Sequence, residues 1–95
     1  MAFRDKYDFD MLSNESERLV IEEVERQLTA GGETEIMDDP DAVIDITALA
    51  LNQVKPLYRV NLLGRLYARA VDKEKHDEVR DAVKRAIKKI KENPA

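Results

Sequence analysis

Six cationic and aromatic side chains lie close together in the second half of the chain and could grip a nucleotide-like ligand. An arginine fork matches phosphate oxygens in bidentate fashion, and tyrosine rings and guanidinium planes stack on bases. The six candidates are Lys55, Tyr58, Arg59, Arg65, Tyr67 and Arg69. A purely structural interpretation is also open, in which the tyrosines lie at the edge of the core and the arginines pair with acids of the first helix.

Residues suited to catalysis are scarce in this sequence. The chain has one histidine, His76, and no cysteine, and Ser13 and Ser16 lie where a helix is expected to begin. No GxxxxGK or GxGxxG motif is present to cradle a phosphate. We therefore expect a protein that is not an enzyme.

The acidic run Asp38, Asp39 and Asp41 raises the question of a metal site. A calcium loop needs a glycine at its sharp turn and a bidentate glutamate, and this run has neither. The run is also typical of a helix start, with Pro40 at the first helical position and the acids near the positive end of the helix dipole. We favour the helix start and expect no metal.

The length and composition of the chain indicate one small domain with an uneven charge distribution. Of 95 residues, 43% are hydrophobic and 38% charged, with a net charge of −4. Residues 1–45 hold four basic and fourteen acidic residues, whereas residues 65–95 hold ten basic and six acidic residues. The two ends should attract each other, within or between chains, unless they are simply two solvated faces. No apolar run could span a membrane and the first residues do not resemble a signal peptide, so we expect a cytoplasmic protein.

The periodicity predicts three main helices. The first begins after the cap Asn14 and stops at Gly31–Gly32, the second runs from about Asp41 to Gln53, and the last begins after Asp72. Residues 33–40 read as an acidic loop between the first two helices. Asp45 is expected to be an interior charge of the central helix, paired with Arg59, Arg65 or Arg69.

The segment between the second and last helices is the least regular. Pro56 ends the second helix, residues 57–60 read as extended, and residues 61–70 are either a small hairpin, which we favour, or a helical turn. The predicted fold is therefore mostly α, with three main helices and a short extended or hairpin-like segment before the last one. Residues 1–12 are expected to form a partly ordered arm, in which Phe9, Met11 and Leu12 dock on the domain, and residues 13–93 the domain itself.

The last helix carries many cations around a narrow apolar stripe. A cationic helix can follow a phosphate backbone. The net negative charge of the chain and the acids Asp77, Glu78 and Asp81 within this helix argue against nucleic acid as the partner. We expect the apolar stripe to pack within the fold or against a second chain.

Three parts of the chain together resemble the late competence development protein ComFB family. In order, they are Asn14, Glu17 and Val20; the run Asp45-Ile46-Thr47-Ala48-Leu49-Ala50-Leu51-Asn52; and Pro56, Tyr58, Val60, Gly64, Leu66, Tyr67 and Ala68. Some members of this family carry zinc-binding cysteines just before the position of Asp45. In this chain, Met37, Asp39 and Ala42 occupy approximately those positions. The zinc site of those members is therefore not expected here.

The resemblance to the cysteine-free branch implies a dimeric receptor for a cyclic dinucleotide such as cyclic di-GMP or cyclic di-AMP. It would act in bacterial signalling linked to competence, motility or biofilm behaviour, through a downstream protein that the sequence does not identify. Two alternatives stay open. The chain could be a protein-interaction adaptor without a small ligand, or a competence protein associated with DNA.

Overall fold

The computed structural model describes residues 2–60 and 73–92, which form helices and one small antiparallel sheet. In chain order the elements after the first twelve residues are β1 (Ser13–Asn14), α1 (Glu15–Ala30), α2 (Thr34–Met37), α3 (Pro40–Leu51), β2 (Tyr58–Arg59) and α4 (Lys73–Glu92). In the sheet, Ser13 lies opposite Arg59 and Asn14 lies opposite Tyr58. The predicted fold class, mostly α with three main helices, is confirmed.

The three main helices pack on one another around a single apolar core. α1 and α4 each bury one stripe at helical spacing, and α3 adds a narrower one. The buried apolar side chains on these helices are Leu19, Val20, Val24, Leu28, Ile46, Ala50, Val79, Ala82, Val83 and Ala86. Each fully buried Val, Leu or Ile contributes about 1.5–3 kcal/mol relative to an exposed one. The core therefore fixes how α1, α3 and α4 sit against one another.

The helix ends follow the predicted signals. The Asn14 side chain accepts a hydrogen bond from the Ser16 N–H at 3.1 Å and caps α1, which ends at Ala30 with Gly31 as its C-cap. Gly32 then adopts a φ of 63°, a conformation that favours glycine. Asp39 caps α3 by accepting from the Asp41 and Ala42 N–H groups, with Pro40 at the first helical position. Within residues 2–60 and 73–92, no cluster of three or more His, Asp or Glu could hold a metal.

Two predictions made for residues 33–53 need correction. The expected acidic loop at residues 33–40 contains a short helix, α2, because Ile36 turns toward the core and packs against it. Asp45 is not an interior charge: it is exposed, and among the described residues it has no ion-pair partner. The apolar run around it suggested a helix buried on all sides, but α3 keeps one face outside, so water solvates this carboxylate.

Several predicted features lie outside the described residues or differ from expectation. The choice between a hairpin and a helical turn at residues 61–70, and the cap Asp72, fall in the part that is not described.

The N-terminal arm forms two 3₁₀ turns, Phe3–Lys6 and Phe9–Met11. The docking predicted for Phe9, Met11 and Leu12 is wrong for the single chain, because all three are exposed. Phe9 instead belongs to a ring cluster with Phe3 and Tyr7.

A set of hydrogen bonds, here called the clip, ties the start of α1 to the loop that follows α3. The Asn14 carboxamide oxygen accepts from the Leu57 N–H at 2.8 Å, in addition to capping α1. The Glu15 N–H donates to the Leu57 carbonyl at 2.7 Å, and the buried Ser16 hydroxyl donates to the Lys55 carbonyl at 2.7 Å. The clip therefore fixes the backbone that leads into β2.

Replacing Asn14 should test the clip. Asn14→Ala removes the cap of α1 and leaves the Leu57 N–H without its acceptor, so the free energy of unfolding should fall by about 2–4 kcal/mol. Asn14→Asp keeps an acceptor oxygen and should lose much less. Urea denaturation of both variants measures the difference, and equal losses would show that the carboxamide oxygen does not have this double role.

Candidate functional site

Three of the six candidate binding residues lie on the segment that the clip holds. Lys55 and Tyr58 are exposed, Arg59 is half-buried, and the buried Val54 anchors the start of the segment in the core. Tyr58 and Arg59 are neighbours on β2, so their side chains leave opposite faces of the strand. Arg65, Tyr67 and Arg69 lie outside the described residues.

The backbone of Lys55 is also held from α4. The Lys55 N–H donates to the Glu78 carboxylate at 2.5 Å, and the Lys75 ammonium donates to the Lys55 carbonyl. Lys75 and Glu78 form an ion pair at 3.6 Å. With Ser16 bound to the same carbonyl, α1 and α4 both fix this residue. Its own ammonium has no ion-pair partner among the described residues, so its charge is available to a ligand.

Arg59 and Ser13 face each other across the sheet with unused hydrogen-bonding capacity. The Arg59 Nε and the Ser13 Oγ are both buried, and neither has a hydrogen-bond partner within the described parts of the chain. Side chains directly opposite each other in an antiparallel pair have Cβ atoms about 4.5–5.5 Å apart. Buried polar groups in native proteins are nearly always paired, and an unpaired one costs about 1–3 kcal/mol. Two such groups therefore lie opposite each other at this point of the sheet.

An anion is one group that could pair with both side chains. A guanidinium Nε–H can donate but cannot accept, and a serine hydroxyl can donate or accept. One phosphate or carboxylate oxygen near both groups could satisfy them together, and hydrogen bonds to charged groups are the stronger kind. The exposed ring of Tyr58 and the charge of Lys55 lie on the same short segment. The segment thus offers a hydrogen-bond donor for an anion on one face of β2, a stacking surface on the other face, and a nearby cation.

An open groove extends from Ser13 along the outer side of α1, and its charge limits where an anion can bind. It is lined by Ser13, Asn14, Glu15, Glu17, Arg18, Ile21 and Glu22. Arg18 donates to Glu15 at 3.0 Å and to Glu22 at 3.1 Å, and the hydrogen bond with Glu15 is the main reason why the pKa of Arg18 is raised. Since this arginine is already paired, the groove keeps a net negative charge and disfavours anions.

The sequence marks Arg59 as a candidate by its residue type but does not mark Ser13. The local pattern around Ser13 indicates a helix start, and its position opposite Arg59 depends on a strand pairing between distant parts of the chain. No local signal in the sequence marks that pairing. The proposed ion pairs of Arg59 with acids of the first helix, or with Asp45, are not formed among the described residues.

Arg59→Met should reveal whether Arg59 is kept for binding or for stability. Methionine has similar length and no donor, so the variant removes an unpaired buried N–H without leaving a cavity. We expect the free energy of unfolding to stay the same or rise by about 1 kcal/mol. Urea denaturation without ligand measures it. A loss of more than about 1 kcal/mol would show that Arg59 stabilises the fold through a contact, since surface changes away from such contacts stay within about 0.5 kcal/mol.

Comparison with known protein families assigns this chain to one of them. Residues 13–94 match the model of the family described as late competence development protein ComFB. No curated protein matches the chain. In the described residues, no helix is long and apolar enough to cross a membrane. The family match begins at β1, includes the clip, β2 and α4, and covers most of the chain, which therefore belongs to the ComFB family of late competence development proteins.

Proposed function

We propose that this chain is a non-enzymatic receptor for a cyclic dinucleotide, such as cyclic di-GMP or cyclic di-AMP, in bacterial signalling. Membership of the ComFB family makes it a competence-related protein. The observation that carries the finer proposal is the buried, unpaired Nε–H of Arg59 opposite the unpaired hydroxyl of Ser13. A ligand phosphate is an acceptor of the kind that this pair lacks.

Each described candidate has a role that its surroundings support. Arg59 donates through Nε to a phosphate oxygen, and the Ser13 hydroxyl donates to the same group. The exposed Tyr58 ring stacks on a purine, and the Lys55 ammonium adds positive charge. Arg65, Tyr67 and Arg69 remain candidates from the sequence for further phosphate, guanine-edge and stacking contacts.

The proposed receptor is a homodimer. A cyclic dinucleotide has two equivalent halves, so a two-fold dimer can present the same residues to each half. One ligand would then bind for every two chains. The strand β2 of each protomer is fixed by its own clip, which would let two identical surfaces meet the ligand without rearrangement.

DNA binding is less well supported than a small ligand. Several cations of α4 are already engaged with carboxylates: Lys73 and Arg80 with Asp77, Arg80 with Asp81, and Lys91 with Glu33. A helix that tracks a phosphate backbone needs its cations available. The adaptor hypothesis differs from the receptor in requiring no ligand, so a binding measurement separates the two.

Calorimetry of the purified protein with cyclic di-GMP, cyclic di-AMP and GTP tests the proposal. We expect micromolar or tighter binding of a cyclic dinucleotide, one per two chains, and no heat with GTP. Arg59→Met should weaken that binding about 10- to 150-fold, as expected for the loss of one charge-assisted hydrogen bond. Arg26→Met is the matched control, because Arg26 is an exposed arginine on α1 that pairs with Glu23.

The outcomes separate the candidate functions. No heat with any cyclic dinucleotide, from a folded protein, contradicts the receptor and leaves the adaptor. Equal binding of GTP and the cyclic dinucleotides also contradicts it. Binding to duplex DNA that falls steeply with salt would favour the DNA-associated protein instead. Equal weakening by Arg59→Met and Arg26→Met would show that net charge, rather than the Arg59 site, governs affinity.

A further inference from the structure

The large apolar side chains that remain exposed are concentrated in two neighbouring segments. Within residues 2–60 and 73–92, six of the ten exposed ones lie on the N-terminal arm or just after β2, and their exposed fractions range from 45% to 68%. We call this set the apolar end, and its members are Phe3, Tyr7, Phe9, Met11, Leu12 and Val60. Single apolar residues are normal on a surface, whereas a group of this size is typical of a surface that a partner covers.

The members of the apolar end are held next to one another. Its three rings form a cluster, with centroids 4.9 to 6.2 Å apart. The Leu12 N–H donates to the Phe9 carbonyl at 3.0 Å, and this turn leads directly into β1. Because Ser13 lies opposite Arg59 in the sheet, Leu12 and Val60 lie at the same end of it. The arm and the end of β2 therefore form one exposed apolar surface.

The groove along the outer side of α1 begins where the apolar end stops. Ser13 lines the groove and directly follows Leu12 in the chain. Ile21 contributes an apolar side chain to the groove and is 49% exposed. Glu17 also lines the groove, is exposed, and forms no ion pair among the described residues, whereas the groove's arginine is already engaged by the other two glutamates. A partner would therefore meet apolar surface and an available carboxylate side by side.

We propose that the apolar end and the groove together bind a basic amphipathic segment of a partner protein. Apolar side chains of that segment cover Phe9, Leu12 and Ile21, and one of its lysines or arginines pairs with Glu17. This inference deepens the proposed receptor by giving the chemistry of its downstream protein. It rests on the proposed function only for that place in signalling, because the surface itself is present without a ligand.

Charge complementarity selects this occupant. The groove is lined by three glutamates and one arginine, and the arm carries three aspartates against one arginine and one lysine. Such a surface attracts a basic segment and repels an acidic one. An anionic lipid surface would be repelled for the same reason. A second copy related by a two-fold axis would bring the same acids face to face.

Fluorescence anisotropy of the full chain with a short labelled peptide tests the surface. The peptide carries leucines on one face of a helix and lysines on the other. We expect saturable binding, at least about tenfold tighter than that of the same peptide with glutamates in place of the lysines. Ile21→Lys should weaken it at least about tenfold, as when an apolar anchor is lost from an interface. Ile44→Lys is the matched control and should leave the affinity unchanged, because Ile44 is an exposed isoleucine on α3.

Two further pairs of variants separate the arm and the carboxylate from general effects. Phe9→Ser should weaken peptide binding and Met37→Ser should not, although both side chains are 45% exposed. Glu17→Lys should weaken it more than Glu35→Lys, which makes the same change of charge at an exposed glutamate of α2. Circular dichroism of each variant checks that the helices are intact.

The contrary outcomes are distinct from one another. Absence of saturable binding by the wild type overturns the proposal, and so does equal weakening by the site and control variants. A self-association that Phe9→Ser abolishes in sedimentation would assign the surface to a second copy instead, and binding to phosphatidylserine vesicles that requires Phe9 would assign it to lipid. Loss of cyclic dinucleotide binding by a chain that still binds the peptide would contradict the receptor and leave this surface standing.

Discussion

The clip between the start of α1 and the loop after α3 is the constraint on which the candidate site depends. One side chain, Asn14, both caps α1 and holds the Leu57 N–H, while Ser16 holds the Lys55 carbonyl. Helix caps and buried hydrogen bonds each contribute about 1 kcal/mol, so their combination in one residue couples the helix to the loop. The loop cannot move away without uncapping the helix. That coupling presents Tyr58 and Arg59 on a fixed strand, although the strand itself has two residues.

Within this fixed frame, the protein leaves two polar groups unpaired where pairing would be expected. The Arg59 Nε and the Ser13 Oγ lie buried and opposite each other, whereas nearby Arg18 has two carboxylate partners. Unpaired buried donors reduce stability, and such costs tend to be kept at functional sites. The contrast between Arg18 and Arg59 is therefore informative. The first is neutralised on the surface of α1, and the second keeps an unpaired buried donor.

The sequence predicted the helices well because their signals are local. The cap Asn14, the glycines after α1 and the Asp39-Pro40 start of α3 act within one or two turns, and each was correctly placed. The burial of α3 was overestimated, because an apolar run does not reveal which side a neighbouring helix covers. Asp45 was therefore assigned to the interior when it lies outside. The candidate site remains a prediction. Arg59 and Tyr58 stood out by residue type, but Ser13 joins them through a pairing that no local pattern records.

The most direct measurement is the side-chain Nε–Hε resonance of Arg59, observed by nuclear magnetic resonance while cyclic di-GMP is added to the ¹⁵N-labelled protein. Arg59→Met would assign the signal by its disappearance. If a ligand phosphate pairs with this donor, the Arg59 signal should shift and its exchange with water should slow, while the Arg26 signal stays in place. A ligand that binds while the Arg59 signal remains unchanged would contradict the central claim, because the unpaired donor would then have no part in recognition.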